Sequence, residues 1–588
     1  MVLDADATRF DGDPVPPSPE LLSVVSADMD LDGDPDVIFN RHLLYPLEIF
    51  ENTGDGFAQI NRVDSDLSGV WDNSGIANLF AEEEDMEVRI DAFGQPGVYV
   101  WHEVGRDGRW FIRVVGDGLL LQIRVNQPLL GIEGVPDEAV DVLSPFEVDV
   151  TVPSDGAFSL GNHLIGTQLH VTAIGVPPPT IYVGPTLAVE TSGVVSLWKP
   201  DPHGMAWVDR VGSAEPELFV TRGGLQGKLV PPHDPKTDQL FEWLPETAAF
   251  QEVESGVIPP DYCRGRQVAW VDVDADGVDE LSVGCTDTPN VLLDDVGDGT
   301  FVDRAPELGL DRVVLDAHAW LDLDGDGWLD VVYLHANQLY VMRRDGDSFA
   351  DLAGSELGLA LAEIVEEVPD GLFDPATLQV FDIDRDGDLD LFASSVGEGE
   401  GAALFTNEDG AFTDQTEAWG LGEADGFGAS VPVDFDNDGR MDVVAVSTGG
   451  LVLWWNTGAA LNPLDMGVAF EAAVAIDADG DGRVDVVSTT SEDRWVLFNR
   501  SRNTGVAVMV DVRAPLGTVV RGYYEDGSVQ AQQWGSAMTS RYSQGVLPLR
   551  FGVFDVGLRS LTLQLPGEAE ERPPVGVGDL RSVTLEGR

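Results

Sequence analysis

The sequence predicts an all-β protein, and three observations carry that prediction. One acidic nine-residue turn recurs along the chain with its aspartates and glycine at fixed places. Each copy is flanked by apolar runs too short for helices but suited to buried strands. Several copies are followed by a further strand, a tight glycine turn and an aromatic residue opening the next strand, as in LEIFENTGDGF, VLLDDVGDGTF, LYVMRRDGDSF and ALFTNEDGAF. Each unit thus reads as an antiparallel sheet of about four strands. A single such sheet leaves its faces uncovered, whereas several packed around an axis cover one another.

The turn is clearest in LDLDGDGWLD, where Asp322, Asp324, Asp326 and Asp330 occupy positions one, three, five and nine and Gly327 occupies position six. The same grammar appears in Asp28/Asp30/Asp32/Asp36 with Gly33 and in Asp272/Asp274/Asp276/Glu280 with Gly277. It returns in Asp382/Asp384/Asp386/Asp390 with Gly387, Asp434/Asp436/Asp438/Asp442 with Gly439, and Asp477/Asp479/Asp481/Asp485 with Gly482. From the second copy onward the turns start about 43 to 60 residues apart, the spacing of propeller blades or solenoid units. A degenerate copy, WVDRVGSAEPELFV, keeps Asp209 and Glu217 but has Val211 and Ser213 in the middle. Seven units therefore predict a seven-bladed β-propeller.

Aspartate and glycine favour turns for their own reasons, but six copies with the same acids in the same places demand more. Carboxylates at alternate positions of a tight loop converge on one point. Calcium suits such a cage, since it takes six to eight oxygens in flexible geometry at about 2.3–2.6 Å, while magnesium demands stricter octahedra. Position seven, Trp328 for example, would lend only its backbone carbonyl. The 24 acids named above are accordingly the candidate ligands of about six structural calcium ions.

The first blade is placed in residues 1–56, an inserted domain in 57–195, blades two to seven in 196–503 and a small β domain in 504–588. The insert alternates apolar and polar residues around glycine turns, as in WHEVGRDGRWFIRVVGDGLLLQIRV, and reads as β-sandwich-like. PPPT, from Pro177 to Thr180, and the GPT after it read as its exit linker.

The repeated loop between short apolar strands resembles the FG-GAP/VCBS repeats of integrin α-chain propellers. The C-terminal segment, with Tyr542-Ser543-Gln544 and Leu549-Arg550-Phe551-Gly552, resembles the ASPIC/UnbV domain of the cartilage acidic protein family. Arg550 stands where that family has a histidine. The resemblance covers roughly residues 20–56 and 200–588. It implies a secreted calcium-binding propeller, extracellular, periplasmic or at the cell surface, with adhesion, scaffold or ligand-binding roles.

Composition narrows the partners. The net charge of −71, from 33 basic and 104 acidic residues, repels nucleic acid. Six calcium ions would bring it only to about −59, so much of the acidity lies outside the loops. No apolar run approaches the roughly 20 residues of a membrane span, and the opening MVLDADATRF lacks a signal-peptide pattern. A protein or glycan ligand and a monomeric chain are expected. Cys263 and Cys285 flank one turn on pairing strands; a disulfide there would contribute about 3 kcal/mol and imply an oxidising compartment, and two separate buried thiols are the alternative.

An enzyme needs a nucleophile, a base or an open metal, and G-x-S-x-G, H-E-x-x-H and C-x-x-C spacings are absent. His163 and His170, on an expected hairpin, and His203 and His233, flanking the degenerate blade, are the metal-capable pairs, with surface polarity as the simpler reading. Trp207, Trp270 and Trp320 each precede a first acid by two residues, a repeated slot that predicts packing between strands, while Trp454-Trp455 reads as half exposed. The alternative function is a calcium-dependent lyase, cyclase or hydrolase with its site at the propeller mouth or the insert interface.

Overall fold

The computed structural model describes Ala5–Arg9, most of residues 21–59, the strands between 88 and 252, and most of 263–587. Among the described residues, seven of the four-stranded antiparallel sheets are built as blades. Their first strands are Leu21–Ala27, Pro202–Val208, Gly265–Val271, Ala317–Leu321, Ala376–Phe381, Ser430–Val433 and Ala472–Ile476. Each of these packs against the next, and the last returns to the first, which closes a propeller ring. The blades are numbered here in chain order. Burial follows from that ring, because every first and second strand is covered on both faces. Gly265–Val271 and Glu280–Cys285 accordingly bury every residue.

The acidic turns join the first and second strands of their blades. In blade four, for example, Leu321 pairs with Asp330 directly across the turn. In blade two the strands pair in the same way, Val208 with Glu217; the intervening Asp209, Val211 and Ser213 lie outside the described residues.

The N-terminus departs from the sequence expectation. Ala5–Arg9 does not join blade one but pairs antiparallel with Arg494–Asn499 as the outermost strand of blade seven. Blade one is instead completed by Phe57–Gln59. The two ends of the propeller sequence are thus hydrogen-bonded together. A second staple sits at the same seam, where the Arg494 guanidinium pairs with Glu48 and lies over the Phe50 ring at 5.2 Å. Both side chains are nearly buried, 5% and 7% exposed. Removing either partner would strand a charge at a cost of about 3–5 kcal/mol.

Cys263 and Cys285 form a disulfide with a Cα–Cα distance of 5.2 Å in blade three. Trp207, Trp270 and Trp320 are buried and meet Phe250, Phe301 and Phe349 with ring centroids 5.9, 6.0 and 5.9 Å apart. Trp454 is also buried, which corrects the half-exposed expectation, whereas Trp455 is half-buried and donates its indole N–H to Asp436 at 3.2 Å.

The insert contains two five-stranded antiparallel sheets. Its strand order corrects two expectations. Ala157–His163 and Gln168–Ile174 fall in different sheets, so His163 and His170 do not share a hairpin. Thr180–Gly184 is the insert's last strand among the described residues and pairs with Gly108–Val115, so the prolines at 177–179 precede a strand of the insert. His203 is buried in the first strand of blade two, and His233 lies outside the described residues.

The C-terminal segment folds into a three-stranded and a four-stranded sheet around Val508, Val510, Tyr524, Phe551 and Leu561. It sits on the face of the propeller that carries the acidic turns. Gln544 reaches the axis, where its side chain accepts from Trp270 N–H at 2.6 Å and donates to Trp270 O at 3.0 Å. Gln533 donates to Trp320 O at 2.8 Å, and Val519 and Ala531 join the apolar core of blades four and five. The C-terminal domain therefore contacts the first strands of blades three and four on this face.

Candidate metal centres

The six turns share one backbone conformation, and the acids hold it. Position six is the glycine, with φ between 85° and 100° in all six loops. Position four is also left-handed in all six, although only Gly325 and Gly480 are glycines; Leu31, Ala275, Arg385 and Asn437 adopt φ of 60°, 61°, 64° and 54°. Sequence reasoning missed this second left-handed residue because the residue types there carry no common signal.

Three hydrogen bonds recur in every loop. The position-six N–H donates to the position-one Oδ2 at 2.9–3.1 Å. The position-seven N–H donates to the position-five Oδ1 at 2.8–3.0 Å. The position-nine carboxylate accepts from the position-two N–H at 2.6–3.0 Å. In five loops its other oxygen takes a backbone N–H from the third strand at 2.7 Å. Glu280, the one glutamate, lacks that last bond and leaves Oε1 buried and unpartnered.

Position nine thus does more than its sequence pattern implied: it clamps the turn to its own blade. The same third-strand residues also tie the blades together. Asn52 donates to Ala478 O at 3.0 Å, Asn456 to Ile383 O at 2.8 Å and Asn499 to Phe435 O at 2.9 Å, each acceptor being position two of the preceding blade's loop. Arg344 reaches Val273 O in the same fashion. The loops are linked from blade to blade rather than standing alone.

The carboxylates converge as the spacing predicted. Asp28, Asp30 and Asp32 bring three oxygens within 4.8 Å of one another, as do Asp272, Asp274 and Asp276. In blades four, five and six the trios use position nine: Asp322, Asp324 and Asp330; Asp382, Asp384 and Asp390; Asp434, Asp436 and Asp442. In blade seven Asp477, Asp479, Asp481 and Asp485 hold the same loop positions. Asp276 and Asp326 use one oxygen to fix the turn.

This crowding perturbs the acids. Burial, aided by neighbouring carboxylates, pushes Asp36 up to about 8, Asp272, Asp330 and Asp485 to about 7, and Asp322, Asp386 and Asp436 to about 6. Glu280 rises to about 10, and Asp382, Asp390, Asp434 and Asp442 rise well above the usual range. Three or four acids cannot all ionise here without a counter-charge.

The hydrogen-bond census shows where that charge would go. Buried oxygens lacking any partner include Oδ1 of Asp28, Asp272 and Asp477 at position one, and Oδ1 of Asp324, Asp436 and Asp479 at position three. At position one a backbone amide takes the other oxygen, and at position three a side chain does, from Arg343, Trp455 and Arg500 respectively, so one oxygen of each is left bare. Orphaned buried acceptors are costly in a folded protein unless an ion or water meets them. The donor set, hard oxygens only, fits calcium.

The loop face also carries a cleft of about 190 Å³, lined by Asp322, Asp324, Asp388, Asn407 and the C-terminal Arg521 and Gln564. It lies where the C-terminal domain meets the loops of blades four and five.

Comparison with known proteins agrees with this geometry. The profile of the FG-GAP-like repeat matches residues 322–393, 382–445 and 434–488. Residues 322–488 of the chain thus carry FG-GAP-like repeats. The repeats so matched hold the turns of blades four to seven. Cartilage acidic protein 1 of Homo sapiens is 26% identical over 277 residues, covering 43% of this chain and 38% of that protein. The Xenopus tropicalis protein of the same name is 27% identical over 262 residues, covering 41% and 37%. The chain therefore matches less than two fifths of the length of these relatives. Among solved structures, an Agrocybe aegerita lectin that recognises non-reducing terminal N-acetylglucosamine is 15% identical with a TM-score of 0.31, covering 49% of this chain and 74% of that one. The extracellular domain of a one-component system from B. thetaiotaomicron is 11% identical with a TM-score of 0.30, covering 79% and 48%. Superpositions this loose say nothing about a shared ligand.

Proposed function

We propose that this FG-GAP propeller is an extracellular-type calcium-binding protein whose loops hold structural Ca2+ and whose remaining surfaces bind a protein or glycan ligand. The observation that carries the calcium reading is the set of carboxylate oxygens at positions one and three, buried and without partners, inside turns fixed by recurring hydrogen bonds. Asp28, Asp272 and Asp477 at position one and Asp324, Asp436 and Asp479 at position three would supply direct ligands, with positions five and nine completing each cage. The disulfide between Cys263 and Cys285 supports an oxidising compartment, which is also where calcium is millimolar. Sites in the affinity range of extracellular modules would each add about 0.4–1.4 kcal/mol at that concentration. Six together rival the stability of an ordinary domain.

The ligand surface is narrowed by the fold. The C-terminal domain covers the loops of blades three to seven through contacts such as Asp272 N–H to Leu516 O, Gly567 N–H to Gly327 O and Gly505 N–H to Asp436 O. A partner would meet the blade-one side, the opposite face or the inserted domain, which gives the protein an adhesion or scaffold role. The test is thermal melting with calcium and with excess EGTA, alongside a count of bound calcium. A lower melting temperature in EGTA and several ions per chain are expected; identical melting curves with no bound calcium would refute the reading.

A further inference from the structure

Blade seven's loop differs from the others in what faces its acids. Arg550, on the C-terminal strand Leu549–Val553, brings Nη1 to 3.5 Å from Asp477 Oδ2 and donates from Nη2 to Gly482 O at 2.6 Å. Arg500 donates to Asp479 Oδ2 at 2.6 Å and reaches Asp481 Oδ2 at 3.3 Å, its guanidinium braced 4.7 Å over the Phe498 ring. Arg483 pairs with Asp481 as well. Three guanidiniums thus oppose the four carboxylates of positions one, three, five and nine. In blade four a single pair, Arg343 with Asp324 at 3.3 Å, is seen, and in blade six Arg440 with Asp438 at 2.6 Å. Among the described residues, no arginine or lysine pairs with the blade-one loop acids Asp28, Asp30, Asp32 and Asp36.

We propose that arginines, one of them delivered by the C-terminal domain, set the cation affinity of the blade-seven loop below that of the other five. The inference rests on the calcium reading above and adds a residue-level control to it. The argument is electrostatic. A divalent ion entering the cage would sit among fixed positive charges a few ångströms away, in a half-buried setting where repulsion is poorly screened. Asp477 and Asp479 still offer a bare inner oxygen each, so the site is weakened, not abolished. Arg550 also links the site to domain docking. Its charge binds the loop from the C-terminal side, so calcium entry and the seating of that corner oppose each other, and by linkage each weakens the other equally.

The experiment is native mass spectrometry of the full chain across a calcium titration, with bound ions counted for the wild type, Arg550→Gln, Asp477→Asn and the Arg550→Gln/Asp477→Asn double variant. The wild type is expected to fill one site last, and Arg550→Gln to fill it at roughly tenfold lower calcium, as removal of one nearby charge implies. That gained ion should vanish in the double variant, which assigns it to blade seven. Arg500→Gln, at a partly exposed side chain, should shift the same site in the same direction and serves if Arg550→Gln fails to fold. Six equivalent sites in the wild type, or arginine variants that leave the last site unmoved while the other loops still bind, would overturn the proposal. A chain that binds no calcium in any form would overturn the underlying calcium reading as well.

Discussion

The loops of blades one and six obey the same nine-residue grammar and live in different media. In blade one, Asp32 is exposed, Asp28 and Asp30 are half-buried, and Leu31 at the tip is 58% exposed. In blade six, Asp434, Asp436 and Asp442 are all buried beneath the C-terminal domain. Gly505 donates to Asp436 O at 2.7 Å there, and Tyr524 Oη donates to Gly552 O at 3.1 Å just above the turn. Burial pushes both acids at the ends of the blade-six loop far above their usual range, while in blade one only Asp36 moves that strongly, to about 8. The ligand pattern is written in the repeat, whereas the electrostatic environment of each copy is written elsewhere in the chain. Cations should therefore matter more to blade six, where burial keeps water from screening Asp434 and Asp442.

The sharpest way to break that comparison is to pry the two surfaces apart. A Cβ at Gly552 would lie 2.0 Å from Asp434 Oδ2 and 2.6 Å from Gly439 N, too close for any relaxation short of backbone movement. Gly552→Ala is expected to cost about 3 kcal/mol, the upper part of the range for overpacking. The matching change in blade one, Gly33→Ala, meets no atom within 4 Å and should cost only about 1 kcal/mol from its φ of +100°. Chemical denaturation of both variants in calcium reads the difference. Equal losses would mean that the C-terminal domain does not press on the blade-six loop.

How much of this was legible follows from where the information sits. The turns, their flanking strands and the blade repeat are local patterns, copied often enough to stand out, and the structure brings Asp322, Asp324 and Asp330 together as their spacing implied. The docking of the C-terminal domain depends on single contacts between distant residues, such as Gln544 with Trp270, and no periodicity announces these. The closing strand Ala5–Arg9 is five residues long and gains its meaning only from Arg494–Asn499 nearly 500 residues later. The left-handed position four was hidden because Leu31, Ala275, Arg385 and Asn437 share a backbone shape and no side-chain chemistry. The double duty of position nine was hidden for a related reason, since its partners are backbone amides, which any residue provides.

Acidification is an obvious probe of the loops, but a group at the other end of blade four answers it too. His318 is fully buried, neither ring nitrogen has a hydrogen-bond partner, and the Tyr333 ring lies 6.2 Å away. Burial depresses it to about 3. A histidine lowered in the folded state takes its proton preferentially in the unfolded one, so stability is intact above the unfolded value near 6.5 and falls as pH drops toward 3. The loss should approach about 1.4 kcal/mol per pH unit inside that window. His318→Leu should flatten this slope in denaturation measured from pH 7 to pH 4. If the slope persists unchanged, His318 is not its source, and the loop acids do not account for it either, because carboxyls raised in the folded state favour folding as pH falls.

The finest test exchanges the fourth residue of the two loops. Leu31 holds φ at +60° and buries little, so it endures left-handed strain with no packing in return. Leu31→Gly relieves that strain, worth about 1–2 kcal/mol, and gives back part of it as unfolded-chain entropy. A net gain of about 0.5–1 kcal/mol is expected. Asn437 sits at the same place in blade six with φ at +54°, but it is buried and its Nδ2 donates to Gly482 O at 2.9 Å, position six of the neighbouring loop. Asparagine tolerates the left-handed region well, so Asn437→Gly gains little conformationally and loses a link between blades; a net loss of about 1 kcal/mol should follow. Opposite signs in matched calorimetry would show that identical backbone shapes are held by strain in the open loop and by contacts in the covered one. The same sign for both would place position four outside that distinction.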